Sequence, residues 1–168
     1  MALDDSGCLV DDHLVPDYTY SRLRTLRRNQ VNPQRDQSSN GIYGVFSLDG
    51  MLRYIKNQLA STPSISGLSN VGISIEIPNS DWYQSSYGMD IVQAVISVLE
   101  RNELNSTALV TEASLPIVLS SFNQADIVRL SSMTDLPLVQ GIFFNNSAFT
   151  YDYNDIAQYA NAVKCTIG

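Results

Sequence analysis

Apolar and polar residues alternate along residues 71–83, and the alternation predicts a β-strand that ends in a polar turn. A β-branched residue occupies every second position from 71 to 77, which is the period of side chains on a strand. Pro78-Asn79-Ser80-Asp81 is strong turn chemistry and predicts a loop that carries Trp82. Glu76 therefore lies next to the C-terminal end of the predicted strand.

Longer-period patterns predict that helices alternate with further strands. Thr19 is placed to cap the first helix, and the clearest helix has apolar residues at helical spacing over residues 88–102. The predicted helices span residues 19–28, 48–59, 88–102, 124–133 and 152–161, and the other predicted strands span 115–122, 136–143 and 162–167. Strands that alternate with helices indicate βαβ units and a parallel sheet, so the predicted fold class is α/β.

Composition narrows the classes of partner and site. The formal net charge is −7, with seventeen acidic and ten basic residues, so we expect no nucleic-acid partner. Seven of the basic residues lie in the first third, either on a solvated face or as an anion-attracting rim. Two cysteines and one histidine cannot form a zinc cluster. Because no apolar run approaches roughly 18 residues and the N-terminus is acidic, we expect no transmembrane segment and see no signal peptide.

Glu76 has two interpretations from the pattern alone. A carboxylate within an apolar run points to solvent at a sheet edge, or it is buried and paired with a cation such as a metal. The absence of a G-x-G-x-x-G or Walker-type loop in the sequence argues against the main nucleotide-binding folds. A parallel sheet of this kind belongs either to a doubly wound domain or to a barrel.

Several segments, in order along the chain, resemble the catalytic domain of the glycerophosphodiester phosphodiesterase family. The resemblance covers residues 16–163 and treats residues 1–168 as a single partial domain. It rests on IEIPNSDWY, GMDIVQAVISVLE, PIVLSSFNQADIVRL, DLPLVQ and DIAQYANAV. A further segment, Gly7 to His13, has the spacing of the family's D-G-x-L-V-x-x-H-D motif, with Leu14 where the family has Asp.

The resemblance implies part of a (β/α)8 TIM barrel and the chemistry of a phosphoric diester hydrolase of phospholipid and glycerol metabolism. The small-molecule substrate would be a glycerophosphodiester, cleaved to glycerol 3-phosphate and an alcohol with a Mg²⁺ or Ca²⁺ ion. Glu76 aligns with a metal ligand, and His13 aligns with a histidine similar in role to a general acid or is a lone surface histidine. Trp82 lines a substrate cleft or covers the barrel rim, and Ser121 contacts a phosphate or satisfies backbone groups.

The sequence also departs from the family. It lacks the H-R-G and E-x-D motifs, and Pro78 occupies the position of a lysine that follows the glutamate. At 168 residues the chain is shorter than the about 250 residues of a complete barrel. We therefore expect an incomplete barrel, a truncated and inactive form; the alternative is a non-catalytic degenerate barrel for binding or scaffolding. Head-group specificity and oligomeric state are left open.

Overall fold

The chain divides into two units, residues 1–47 and residues 48–168. The computed structural model describes residues 2–3, 9–10, 15–61, 72–144 and 152–167. The first unit contains β1 (Ala2–Leu3) and β2 (Leu9–Val10), which pair antiparallel. A 3-10 helix (Val15–Asp17) and the short helix α1 (Tyr20–Leu23) follow.

Helix α1 is much shorter than the helix predicted for residues 19–28. The predicted cap is confirmed, because the Thr19 side chain accepts a hydrogen bond from the Arg22 backbone N–H. Helix α1 has no buried residue, so it lacks the packing that stabilises short helices. Beyond Leu23 the Arg27 guanidinium donates to the backbone carbonyls of three residues, 24, 25 and 26.

The second unit is built on a four-stranded parallel sheet, so the predicted α/β class is confirmed. Its strands are β3 (Ile73–Ile77), β4 (Ile117–Ser121), β5 (Leu138–Phe144) and β6 (Ala162–Ile167). Each strand pairs in parallel with the next one along the chain. The carboxyl ends of all four strands therefore meet at one edge of the sheet.

Helices connect and precede these strands. They are α2 (Leu48–Ser61), α3 (Ser80–Tyr87), α4 (Ile91–Arg101), α5 (Thr107–Glu112), α6 (Gln124–Ser131) and α7 (Tyr153–Ile156). The sequence patterns predicted α2, α4 and α6 with small errors at their ends. They missed α5, and α7 is shorter than predicted.

The prediction that a loop carries Trp82 is wrong, because α3 begins directly after the turn and contains this residue. Asn79 adopts the left-handed conformation, with φ 49° and ψ 38°, at the N-cap position of α3. Gly88, predicted to open the next helix, instead closes α3 with φ 65°, a conformation that glycine adopts without steric cost.

One face of the sheet and the inward stripes of the helices form the hydrophobic core. Alternate strand residues such as Ile75, Ile117 and Leu119 are buried in a cluster with Ile96 of α4 and Ile127 of α6. The intervening strand residues lie on the opposite face, where Glu76, Ser120 and Gly141 replace the large apolar side chains. The sheet thus has an apolar, helix-covered face and a face of mixed polarity.

Gly141 is required by the close approach of an aromatic ring. A Cβ atom at this position would lie 2.7 Å from Cγ and Cδ1 of Phe122. We predict that Gly141→Ala lowers the free energy of unfolding by about 1–3 kcal/mol, the usual effect of overpacking. Urea unfolding measures the change. In a Phe122→Ala background the same substitution should cost much less; an equal cost in both backgrounds would exclude the ring as the cause.

Asp90 and Arg129 link the start of α4 to α6. Asp90 caps α4 through the Gln93 N–H, and two hydrogen bonds of 2.6 and 2.9 Å join its carboxylate to the Arg129 guanidinium. The hydrogen bond from Arg129 has the largest effect on the pKa of Asp90, and the bond from Gln93 has the second largest. Both lower this pKa from its usual 3.8. A lowered pKa contributes stability above the unfolded value, and this contribution is lost as the pH falls through the folded value.

We predict that Asp90→Asn, which retains a good cap, lowers stability by about 0.2–1 kcal/mol at pH 7 because the ion pair is exposed. Thermal unfolding at several pH values should show the difference between the two proteins shrinking as the pH falls below about 4. A difference that does not vary with pH would show that the ion pair does not contribute.

Candidate functional site

A cleft of about 820 Å³ opens at the carboxyl ends of the strands in the second unit. This volume lies within the roughly 300–1,000 Å³ of small-molecule sites. The carboxyl edge of a parallel sheet is also where ligands bind in α/β folds. The cleft is lined by Glu76, Ile77, Pro78, Asn79, Ser80, Asp81, Trp82, Ser121, Phe122, Asn123, Phe143, Lys164 and Thr166.

An ion pair between Glu76 of β3 and Lys164 of β6 crosses the cleft side of the sheet. Two strands separate the partners, and in register they present Ser120 opposite Glu76 and Gly141 opposite Lys164. The Phe122 ring fills the space above Gly141, and the lysine side chain reaches Glu76 beside this ring. Its ammonium also lies 5.0 Å from the ring centroid of Phe122, within cation–π range.

Aromatic side chains form two walls of the cleft. The Phe122 and Phe143 rings stack with centroids 4.5 Å apart. Trp82 contacts Tyr83 and Tyr87 edge to face, at 5.0 and 5.2 Å between centroids, and remains 38% exposed. Trp82 is thus held by its own helix while part of its surface stays open to a ligand.

Asn123 joins the start of α6 to the start of α3. Its Oδ1 accepts from the Ala125 N–H, which caps α6. Its Nδ2 donates to Ser80 Oγ at 3.1 Å and to Asp81 Oδ2 at 2.9 Å. One amide side chain therefore fixes the position of the Asp81 carboxylate at the mouth of the cleft.

Ser121 is buried, and its hydroxyl is engaged by the protein. Its Oγ lies 3.0 Å from the Ile77 carbonyl oxygen and 2.8 Å from Asp126 Oδ2, both acceptors, and accepts from the Asn123 N–H at 3.1 Å. These contacts match the interpretation in which Ser121 satisfies backbone groups. Its neighbour Ser120 differs, since its Oγ is buried and makes no hydrogen bond with the described residues.

Three of the four residues predicted for the site line the cleft: Glu76, Trp82 and Ser121. The fourth, His13, lies outside the described residues. The sequence interpretation missed Lys164 and Asn123. Lys164 could have been noticed as the only cation predicted on a strand, and Asn123 as the polar residue that follows the second predicted strand.

The charged groups on the described cleft lining do not form a binding site for Mg²⁺ or Ca²⁺. Such ions gather six or more oxygen ligands, whereas the lining offers the carboxylates of Glu76 and Asp81, and Glu76 already pairs with Lys164. Across the described ranges no group of three or more His, Cys, Asp or Glu side chains could hold a metal ion. These residues alone therefore do not fit the metal that the resemblance implies.

Comparison with known protein families found no family that matches the chain, and comparison with curated proteins found no match either. Within the part of the chain that the structure describes, no helix has both the length and the apolar character needed to cross a bilayer.

Ser121 and Ser120 offer a matched pair for testing the strand-end hydrogen bonds. We predict that Ser121→Ala lowers the free energy of unfolding by about 1–3 kcal/mol, because it leaves the buried Asp126 carboxylate without this hydroxyl. Ser120→Ala should cost far less, since its hydroxyl has no partner to lose. Urea unfolding of both variants provides the measurement. Equal losses would show that the hydrogen bonds of Ser121 contribute no net stability.

Proposed function

We propose that the second unit is part of a (β/α)8 barrel of the glycerophosphodiester phosphodiesterase type. The strand order supports this, because a doubly wound sheet reverses its order at a switch point while these four strands follow one another without reversal. The placement of the cleft also agrees, since barrel enzymes carry their active sites at the carboxyl ends of the strands.

We propose that the cleft binds a glycerophosphodiester. The observation that carries this proposal is the Lys164 ammonium, which lines the cleft while its side chain is 40% exposed. An exposed ion pair contributes at most about 1 kcal/mol, so Lys164 can exchange Glu76 for a phosphate oxygen at little cost. Trp82 and Phe143 would then supply apolar surface for the carbon atoms of the glycerol and the head group.

The resemblance adds a second support. It implies a lysine two residues after the metal-binding glutamate, a position that Pro78 occupies here. Lys164 brings an ammonium group to the same carboxylate from a different strand. The combination of carboxylate and ammonium is therefore present in the cleft although the local motif has changed.

For the reaction itself, the resemblance implies hydrolysis with a Mg²⁺ or Ca²⁺ ion at Glu76 and proton transfer by histidine. We propose this activity for a complete member of the family that the sequence resembles. The described residues supply neither the remaining metal ligands nor a histidine, and no catalytic step follows from them.

A non-catalytic binding protein is the second candidate, and the pairing of Glu76 with Lys164 favours it. A carboxylate that is neutralised by an ammonium group attracts a divalent cation less strongly. In this alternative the ion pair replaces the metal, and the cleft recognises its ligand without cleaving it.

Substitution of Lys164, with Arg129 as the control, tests the binding proposal. We predict that Lys164→Gln weakens the binding of glycerophosphocholine about tenfold, since it removes a charge-assisted hydrogen bond. Arg129→Gln removes a cation that does not line the cleft and should leave this affinity unchanged. Isothermal titration calorimetry provides the dissociation constants. Equal affinities for all three proteins would refute the role of Lys164.

The release of glycerol 3-phosphate separates the two candidates. Release that depends on Mg²⁺ or Ca²⁺ and disappears in Glu76→Ala would establish the hydrolase. Binding without release, unaltered by either ion, would establish the non-catalytic protein.

A further inference from the structure

A second pocket of about 250 Å³ lies between α2 and the C-terminal end of α4. It is lined by Arg53, Lys56, Asn57, Arg101, Asn102 and Glu103. Because α4 leads back from the carboxyl edge of β3 toward the start of β4, this pocket lies near the amino edge of the sheet, away from the cleft. We refer to it as the basic pocket.

The basic pocket collects positive charge within an acidic unit. Residues 48–168 carry five lysines and arginines against eleven aspartates and glutamates. Two of the five cations, Arg129 and Lys164, pair with single carboxylates elsewhere. The other three all line this one pocket. Such a concentration of cations is unexpected in a unit whose net negative charge repels anions.

The three cations retain hydrogen-bond donors for a ligand. Lys56 Nζ donates to the Asn102 carbonyl oxygen at 2.6 Å, which leaves two of its three N–H groups. Arg53 pairs with Asp49 at 3.1 Å, but its side chain is 64% exposed, so this pair is weak. The Arg101 guanidinium makes no hydrogen bond to any residue in the described ranges, although it interacts electrostatically with the Asp49 carboxylate and helps to lower the pKa of that group.

Stabilisation of the end of α4 accounts for only part of this arrangement. Cations favour a helix C-terminus, and the bond from Lys56 serves that purpose. The nearby carbonyls of Val98 and Leu99, however, already accept from backbone N–H groups. Arg101 and most donors of Arg53 are therefore not needed to satisfy the helix end.

We propose that the basic pocket binds a phosphate group, with Arg101 and Lys56 as its principal donors. Arginine and lysine are the usual partners of phosphate oxygens in proteins. The volume is smaller than the roughly 300–1,000 Å³ of small-molecule pockets, so the pocket fits a single phosphate group and not a larger ligand. Two carboxylates weaken the site: Glu103 on the lining, and Asp49, which pairs with Arg53 and interacts electrostatically with Arg101.

Titration of the full chain with inorganic phosphate tests the proposal. The amide NMR signals of Asn57, Asn102 and Glu103 should shift more than those of Asn123 and Thr166 in the cleft. This comparison localises the binding and keeps the result independent of the glycerophosphodiester proposal.

Substitutions should change the phosphate affinity in opposite directions. Arg101→Gln should weaken binding about tenfold, the effect of one lost charge-assisted hydrogen bond, whereas Glu103→Gln should strengthen it. Arg129→Gln, which removes a cation of the second unit that lines neither the cleft nor the basic pocket, serves as the control and should leave binding at the pocket unchanged. A purely structural role would change the melting temperature without phosphate and leave the phosphate response unaltered.

The phosphate could be free or could belong to a lipid head group. Sedimentation with vesicles that contain phosphatidic acid distinguishes these sources: co-sedimentation that Arg101→Gln abolishes identifies a head group, and phosphate shifts without co-sedimentation identify a free anion. The proposal is overturned if neither probe binds, or if binding is insensitive to Arg101→Gln and Glu103→Gln.

Discussion

Burial of one sheet face against α4 and α6 is the constraint on which the rest of the second unit depends. Successive side chains of a strand point to opposite faces of the sheet. Because Ile75, Ile117 and Leu119 are buried in the core, their neighbours lie on the opposite face. Glu76 and Ser120 lie on that face for this reason. A register slip of one residue would bury the Glu76 carboxylate among apolar helices, at a cost that no partner there could offset. Core packing thus determines where the polar chemistry lies.

The strand ends are held by a small set of hydrogen bonds, buried at Ser121 and exposed at Asp81, that connects the core to the cleft. Ser121 lies between the end of β3, through the Ile77 carbonyl, and the first turn of α6, through Asp126. Asn123 continues the connection to α3 through Ser80 and Asp81. Because these polar groups form hydrogen bonds with one another, the backbone at the carboxyl edge is held in place without a ligand. Such preorganisation lowers the entropy that ligand binding costs.

The two proposed ligand sites lie near opposite edges of the same sheet and use charge differently. In the cleft, Glu76 and Asp81 outnumber Lys164, so the proposed phosphodiester would have to displace Glu76 from the lysine or bind together with a cation. In the basic pocket, three cations face Glu103 on the lining and Asp49, which forms a salt bridge with Arg53, so a phosphate group could bind Arg101 and Lys56 without displacing a salt bridge. The acidic total of the chain, −7, therefore conceals a local site of opposite sign, because electrostatic interactions are screened over about 8–10 Å in physiological salt.

The sequence by itself determined the α/β class, the four parallel strands and the central helices, because each depends on a hydrophobic period that neighbouring residues display. It also placed Glu76 at a strand end. It did not determine the helix that carries Trp82, since this helix depends on the left-handed conformation of Asn79 and its polar residues resemble a loop. Tertiary structure alone decided that Lys164 meets Glu76, which is 88 residues away in the sequence. That contact requires the strand order and the register, and no local pattern contains this information.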